Sequence, residues 1–161
     1  MKQLNTLFLL VILFGCNTNS TLENLENSKI SVDYPAGWNT VKEDDLGDKG
    51  YYIELEKLSV PGTKLIIGIL EDVVLEELLS SVQLSLESKL NYENANLTLK
   101  KATNWNTDEE ENILQSFYFD QLGESFHGLI YCYKANEKSI AIIKQEAFAD
   151  RYLNAPEFNI M

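Results

Sequence analysis

Hydrophobic and polar positions along this chain change period several times, and each change marks an element. Residues 29–34 alternate, with Ile30, Val32 and Tyr34 on one side, as a half-buried strand does. That run stops at Pro35-Ala36-Gly37-Trp38, where proline cannot donate to a ladder and glycine supplies the turn. The mostly polar stretch 42–50 reads as a loop. Residues 51–58 and 63–71 then form a predicted hairpin around Val60-Pro61-Gly62. From there the period lengthens: Leu75, Leu78, Leu79, Val82, Leu86 and Leu90 recur at three and four and share one helix face. Glu76 and Glu77 fall in its first turn, where carboxylates offset the positive end of the helix dipole. Four further strands are predicted, at 96–102, 112–122, 126–135 and 139–146. Gln121-Leu122-Gly123-Glu124 and Asn136-Glu137-Lys138 are short enough to close antiparallel hairpins. Asn154, Pro156 and Glu157 have the spacing of a capped helix start near the end of the chain.

Strands adjacent in sequence and joined by tight turns, with a long helix between two groups, predict an α+β fold. The expected architecture is an antiparallel sheet of about six to seven strands flanked by helices.

The first residues follow a different grammar. Lys2 precedes an unbroken apolar run from Leu7 to Phe14, and Gly15 then meets Cys16. This order, a positive start, a short apolar centre and a small residue at the cut, is that of a secretory signal. As a helix the run is about 12 Å long, far short of a hydrocarbon core of about 30 Å, so a membrane span is not expected. Leu13-Phe14-Gly15-Cys16 resembles a bacterial lipobox. The resemblance implies cleavage between Gly15 and Cys16, a diacylglycerol on the Cys16 thiol and usually an acyl chain on its new amino terminus. Two or more chains anchor a protein stably, whereas one is marginal. The expected organisation is a signal peptide at 1–15, a lipidated polar tether at 16–28 and one domain at 29–161. The expected place is the bacterial envelope, with the outer membrane preferred because Asn17 is not the aspartate that marks inner-membrane retention in enteric lipoproteins.

Charge and cysteine usage narrow the partners. The net charge of −12 would repel phosphate backbones, so nucleic acid is not an expected partner. With Cys16 lipidated, the other cysteine, Cys132, has no disulfide partner, and a domain of this size needs none to fold.

Ile30-Ser31-Val32-Asp33-Tyr34-Pro35-Ala36-Gly37-Trp38 is similar to the opening of the PsbP-like fold, in which a first strand runs into a Pro-x-Gly-Trp turn. The later order of hairpin, acidic-started helix, strand meander and closing helix fits as well. The resemblance covers about residues 29–161 and implies an α/β/α sandwich. Members of that fold include a photosystem extrinsic protein, a Ran-binding nuclear transport factor and envelope lipoproteins of the DcrB type, so fold alone selects no function. The lipobox points to the last group.

Catalytic chemistry is not visible. No Gly-x-Ser-x-Gly is present. The single histidine, His127, and the spare Cys132 fall short of a zinc ligand set, and Cys132 sits among Ile130, Tyr131 and Tyr133 as a small buried hydrophobe would. An EF-hand loop starting at Asp45 fails at Gly47 and Lys49, where oxygen ligands are required. Asp44, Asp45 and Asp48 remain a weak calcium candidate, and Asp108-Glu109-Glu110-Glu111 reads as a solvated bend. Trp38 is a candidate binding residue whose ordinary reading is a core-sealing aromatic. No enzyme, metal or cofactor is expected. The leading expectation is a lipid-anchored module that binds another envelope protein. The alternative is a small-molecule binder with a pocket between the sheet and the helix at 75–90, lined by Trp38 and other aromatics; a hydrolase, which would need His127 and acidic residues to converge in one cleft, comes third.

Overall fold

A computed structural model describes residues 22–26, 31–104, 111–135 and 137–150. Cys16 and the lipobox-like residues before it, the predicted helix after Asn154, and Asp108 to Glu110 lie outside them. The strands are β1 (Leu22–Glu26), β2 (Ser31–Pro35), β3 (Trp38–Asp45), β4 (Gly50–Lys57), β5 (Lys64–Glu71), β6 (Thr98–Leu99), β7 (Thr103–Asn104), β8 (Asn112–Gln121), β9 (Glu124–Ala135) and β10 (Lys138–Ala147). One α-helix, α1 (Leu75–Tyr92), separates β5 from β6. Single 3-10 turns follow β3 and β10, at Gly47–Lys49 and Phe148–Asp150.

β3 to β10 form an eight-stranded sheet in the order β3-β4-β5-β10-β9-β8-β6, with β7 also against β8, and every pairing is antiparallel. Strict alternation then gives the sheet two faces. On one, Leu75, Leu78, Leu79, Leu86 and Leu90 of α1 pack with Ile66, Ile113, Phe117, Phe119, Ile130 and Ile143. Each fully buried leucine contributes about 1.5–3 kcal/mol, an upper figure because unfolded chains already bury part of it. The helix is anchored at its start by Ser139, whose hydroxyl donates to the Val73 carbonyl. It ends where Asn94 turns to φ 57°, a left-handed conformation that asparagine tolerates.

On the other face Trp38, Tyr51, Ile53, Leu55, Leu65, Ile67 and Ile69 form a second core, closed by Leu25 and Tyr34. Of the expected sandwich, the described residues hold the antiparallel sheet and one helical layer, and the predicted closing helix lies outside them. Among the described residues only one face carries a helix, and the second is covered in part by a separate β1–β2 hairpin. Three other expectations change. The tether predicted over 16–28 contains β1, paired to β2 from Leu22↔Pro35 to Glu26↔Ser31 and tied by Asn24 Nδ2 donating to Asp33 Oδ1 at 2.7 Å. Its few apolar residues show no period because a two-stranded ribbon needs only one or two to dock. The first part of the loop predicted over 42–50 belongs to β3, which runs on to Asp45 through a bulge between Thr40 and Lys42, and a 3-10 turn takes most of the rest. β3 is an edge strand, mostly exposed after Trp38, so it carries no apolar alternation to read. The strand predicted over 96–102 shrinks to Thr98–Leu99.

The β8–β9 turn is made by Leu122 and Gly123, both with positive φ, 52° and 84°. That mirror-image turn matches strand twist but suits asparagine, not leucine, at its first position. Leu122 is fully exposed and packs on nothing. Leu122→Asn is therefore expected to stabilise the fold by about 1 kcal/mol, read as a higher urea midpoint. Among the described residues no helix is long and apolar enough to cross a membrane.

Candidate ligand cavity

α1 lies across β8, β9 and β10. Next to this footprint the sheet places two small residues together. Gly68 of β5 is paired with Ala141 of β10 on one side and with Tyr52 of β4 on the other. A methyl carbon added to Gly68 would meet no atom within 4 Å. The result is a cavity of about 340 Å³ between the helix and the sheet, within the range of small-molecule sites, about 300–1,000 Å³. Ile66, Leu70 and Ile143 wall its floor, Val82 and Leu86 its roof, and Phe119 and Phe126 one end. The two phenylalanines face each other across β8 and β9 and stack at 4.9 Å with an interplanar angle of 7°.

The mouth is polar. β4 alternates Tyr51, Ile53 and Leu55 into the far core with Tyr52, Glu54 and Glu56 on the helix side, where Glu54 is buried and the other two are half-buried. Glu54 is the centre: Lys64 Nζ donates to its Oε1 at 2.8 Å, Tyr52 Oη donates to its Oε2 at 3.2 Å, and Lys89 Nζ of α1 lies 3.6 Å from Oε1. Gln121 donates to Glu93 Oε2 at 3.0 Å, and Gln145 donates to the Gly62 carbonyl at 3.2 Å.

Burial alone would raise the Glu54 carboxyl and lower the Lys64 ammonium, but the attraction between them wins on both sides. Glu54 is held below its ordinary 4.5 and Lys64 above its ordinary 10.5. Burial first, and then the Glu54 charge, pushes the Tyr52 phenol well up, so it stays a donor. A depressed carboxyl stabilises the fold above its unfolded value and loses that contribution as pH falls through the folded one; a raised ammonium does so below its unfolded value and loses it as pH rises. The cluster is thus complete between about pH 4.5 and 10.5. Urea midpoints measured against pH are expected to fall on the acid side less steeply in Glu54→Gln than in the parent. Equal acid slopes would count against the cluster.

The residues singled out in the sequence lie elsewhere. Trp38 is 2% exposed and sits in the core on the opposite face of the sheet, so it does not line the cavity. His127 pairs across strands with Glu146, Nε2 to Oε1 at 3.1 Å, but out of hydrogen-bond line, and its ring meets the edge of Phe148. Cys132 is five residues along β9 from His127, and strand parity sends the two to opposite faces. The cysteine is fully buried under α1, where burial pushes its thiol up to about 11 and keeps it unreactive. Asp44 pairs with Lys42 at 3.0 Å, and Asp45 accepts the Gly47 N–H at 2.9 Å. Among the described residues no cluster of His, Cys, Asp and Glu is arranged to hold a metal. Gly15 and Cys16 lie outside the described residues.

No family model and no curated protein matches the chain. Among solved structures, it is similar to the solution structure of cyanobacterial PsbP (CyanoP) from Synechocystis sp. PCC 6803, at 15% identity and TM-score 0.62, over 90% of this chain and 91% of that one. It is also similar to PA94 from Pseudomonas aeruginosa, described as a putative regulator, at 10% identity and TM-score 0.41, over 86% of this chain and 91% of that one, too distant to bear on the fold. At 15% identity the first likeness speaks for architecture alone. The chain has a PsbP-like fold, dominated by its eight-stranded sheet.

Proposed function

We propose that this chain is a lipid-anchored envelope lipoprotein whose PsbP-like domain is a non-catalytic binding module for a small, largely apolar molecule. The observation that carries the binding reading is the cavity beside α1, with aliphatic and aromatic walls and a hydrogen-bonding mouth at one end. Pockets of that composition favour a ligand by burying it, while a few polar groups set its orientation. The test is titration of the purified domain with N-phenyl-1-naphthylamine, an uncharged fluorophore that brightens in apolar surroundings. Saturable binding at one site per chain is the expected outcome. A linear, unsaturable signal would remove the reading.

The anchor reading rests on Leu13-Phe14-Gly15-Cys16. In a bacterial host, Cys16→Ala is expected to leave an unlipidated precursor with its signal attached. Mass spectrometry finding an unmodified Cys16 at the start of the mature parent protein would overturn it. The preferred address is the outer membrane.

A second reading, docking of another envelope protein, is favoured by Leu114, Tyr118 and Leu129, which share the outer face of β8 and β9 and are each at least 36% exposed. Capture of a partner from membranes by the lipidated protein, lost on Leu129→Asp, would support this reading. Capture unchanged by Leu129→Asp would oppose it.

A further inference from the structure

The mouth of the cavity constrains the end of the ligand more than its walls constrain the body. An ammonium carries three donors. Lys64 uses one on Glu54, and Lys89 stands 3.6 Å from the same oxygen, beyond hydrogen-bond reach. Tyr52 fills the other Glu54 oxygen. Among the described residues neither lysine has a further hydrogen-bond partner. Both line the cavity, so its mouth holds spare ammonium N–H groups.

That surplus does not amount to a positive site. Glu54 lies against both lysines, and Glu56 and Glu93 are close enough to act on the Lys64 charge. Of the three, Glu93 lines the cavity and Glu54 and Glu56 stand behind its wall, so the two lysines face three nearby carboxylates, and the chain as a whole is at −12. A carboxylate or phosphate head would gain the free N–H groups but would face those glutamates. An ammonium head would sit against Lys64 and Lys89 with the best-placed carboxylate already occupied. A neutral oxygen acceptor meets neither repulsion.

We infer that the cavity takes an uncharged amphiphile, an apolar chain or ring ending in ester, ketone or amide oxygens, with that oxygen accepting from Lys64 and Lys89 at the mouth. This rests on the cavity reading proposed above and names the ligand class it admits.

The test is displacement of bound N-phenyl-1-naphthylamine by 1-monodecanoylglycerol, decanoate and decylammonium, all below their aggregation limits. The glycerol ester is expected to displace at a concentration about 10-fold lower than either ion, as one charge-assisted hydrogen bond would give. Lys89→Met keeps the apolar stem of an exposed side chain and removes the donor. It is expected to weaken the ester about 10-fold relative to the fluorophore affinity measured on the same variant. Lys64→Met is the second variant, with Lys89 and Tyr52 remaining on Glu54. Displacement by either ion at concentrations equal to or below those of the ester would overturn the inference alone, as would ester binding unchanged in both variants. Failure of the fluorophore to bind the parent would overturn the cavity reading and this inference together.

Discussion

Phe117→Ala is expected to lower the unfolding free energy by about 3–5 kcal/mol, the cost of emptying a fully buried aromatic site. Domains of this kind have only about 5–15 kcal/mol in total. Phe117 has no exposed surface and lies in the core under α1. Its ring occupies the space over Gly128 of the neighbouring strand. A methyl carbon there would fall 2.2 Å from the ring and 2.4 Å from the Lys144 carbonyl. Collapse around the vacancy is therefore limited by backbone as well as by side chains. Gly128→Ala is expected to destabilise by overpacking, about 1–3 kcal/mol. In the double variant the ring clash is gone and the carbonyl clash remains, so the two losses should sum to less than the separate values. Urea denaturation of the four proteins measures this directly. Full additivity would mean that the ring and the glycine are not in contact.

Gly68→Phe is expected to separate binding from stability. Glycine inside a strand costs about 0.5–1 kcal/mol of conformational entropy, and aromatic residues favour strands. The position is open, with no atom within 4 Å of an added methyl carbon, and Gly68 does not have a positive φ. The fold should therefore hold or gain up to that amount. The new ring would occupy the cavity floor and take about 100 Å² of apolar contact from a ligand, about 2.5 kcal/mol at 25 cal/mol per Å², or about 60-fold in Kd. Fluorophore titration and urea midpoints on the same sample test both halves. Binding that survives with an intact fold would place the ligand elsewhere.

Much of the fold was legible because its signals are local. The stripe from Leu75 to Leu90 predicts a helix that the structure places at Leu75–Tyr92. The hairpins around Pro61-Gly62 and Leu122-Gly123 follow from turn chemistry between alternating runs. The edges were not legible. β3 keeps its pairing with few buried side chains of its own, and β1 is held by its partner strand. Trp38 is a buried aromatic, as its place at a strand corner suggests, but which face it buries depends on strand parity counted from pairings the chain does not announce.

The cavity shows the same division more sharply. Two of its signals stand in the sequence: Tyr52, Glu54 and Glu56 alternate with apolar residues, and Gly68 interrupts an otherwise aliphatic strand. Each has an ordinary meaning when read singly. Local spacing by itself determined the strand and helix periods and the turns, since each depends on neighbours within a few residues. Only the tertiary structure decided that β10 returns beside β5, that Ala141 therefore lies against Gly68, and that α1 passes to one side of both. The physical reason is that a cavity is made of space between residues distant in the chain, and no local period encodes which small residues will meet.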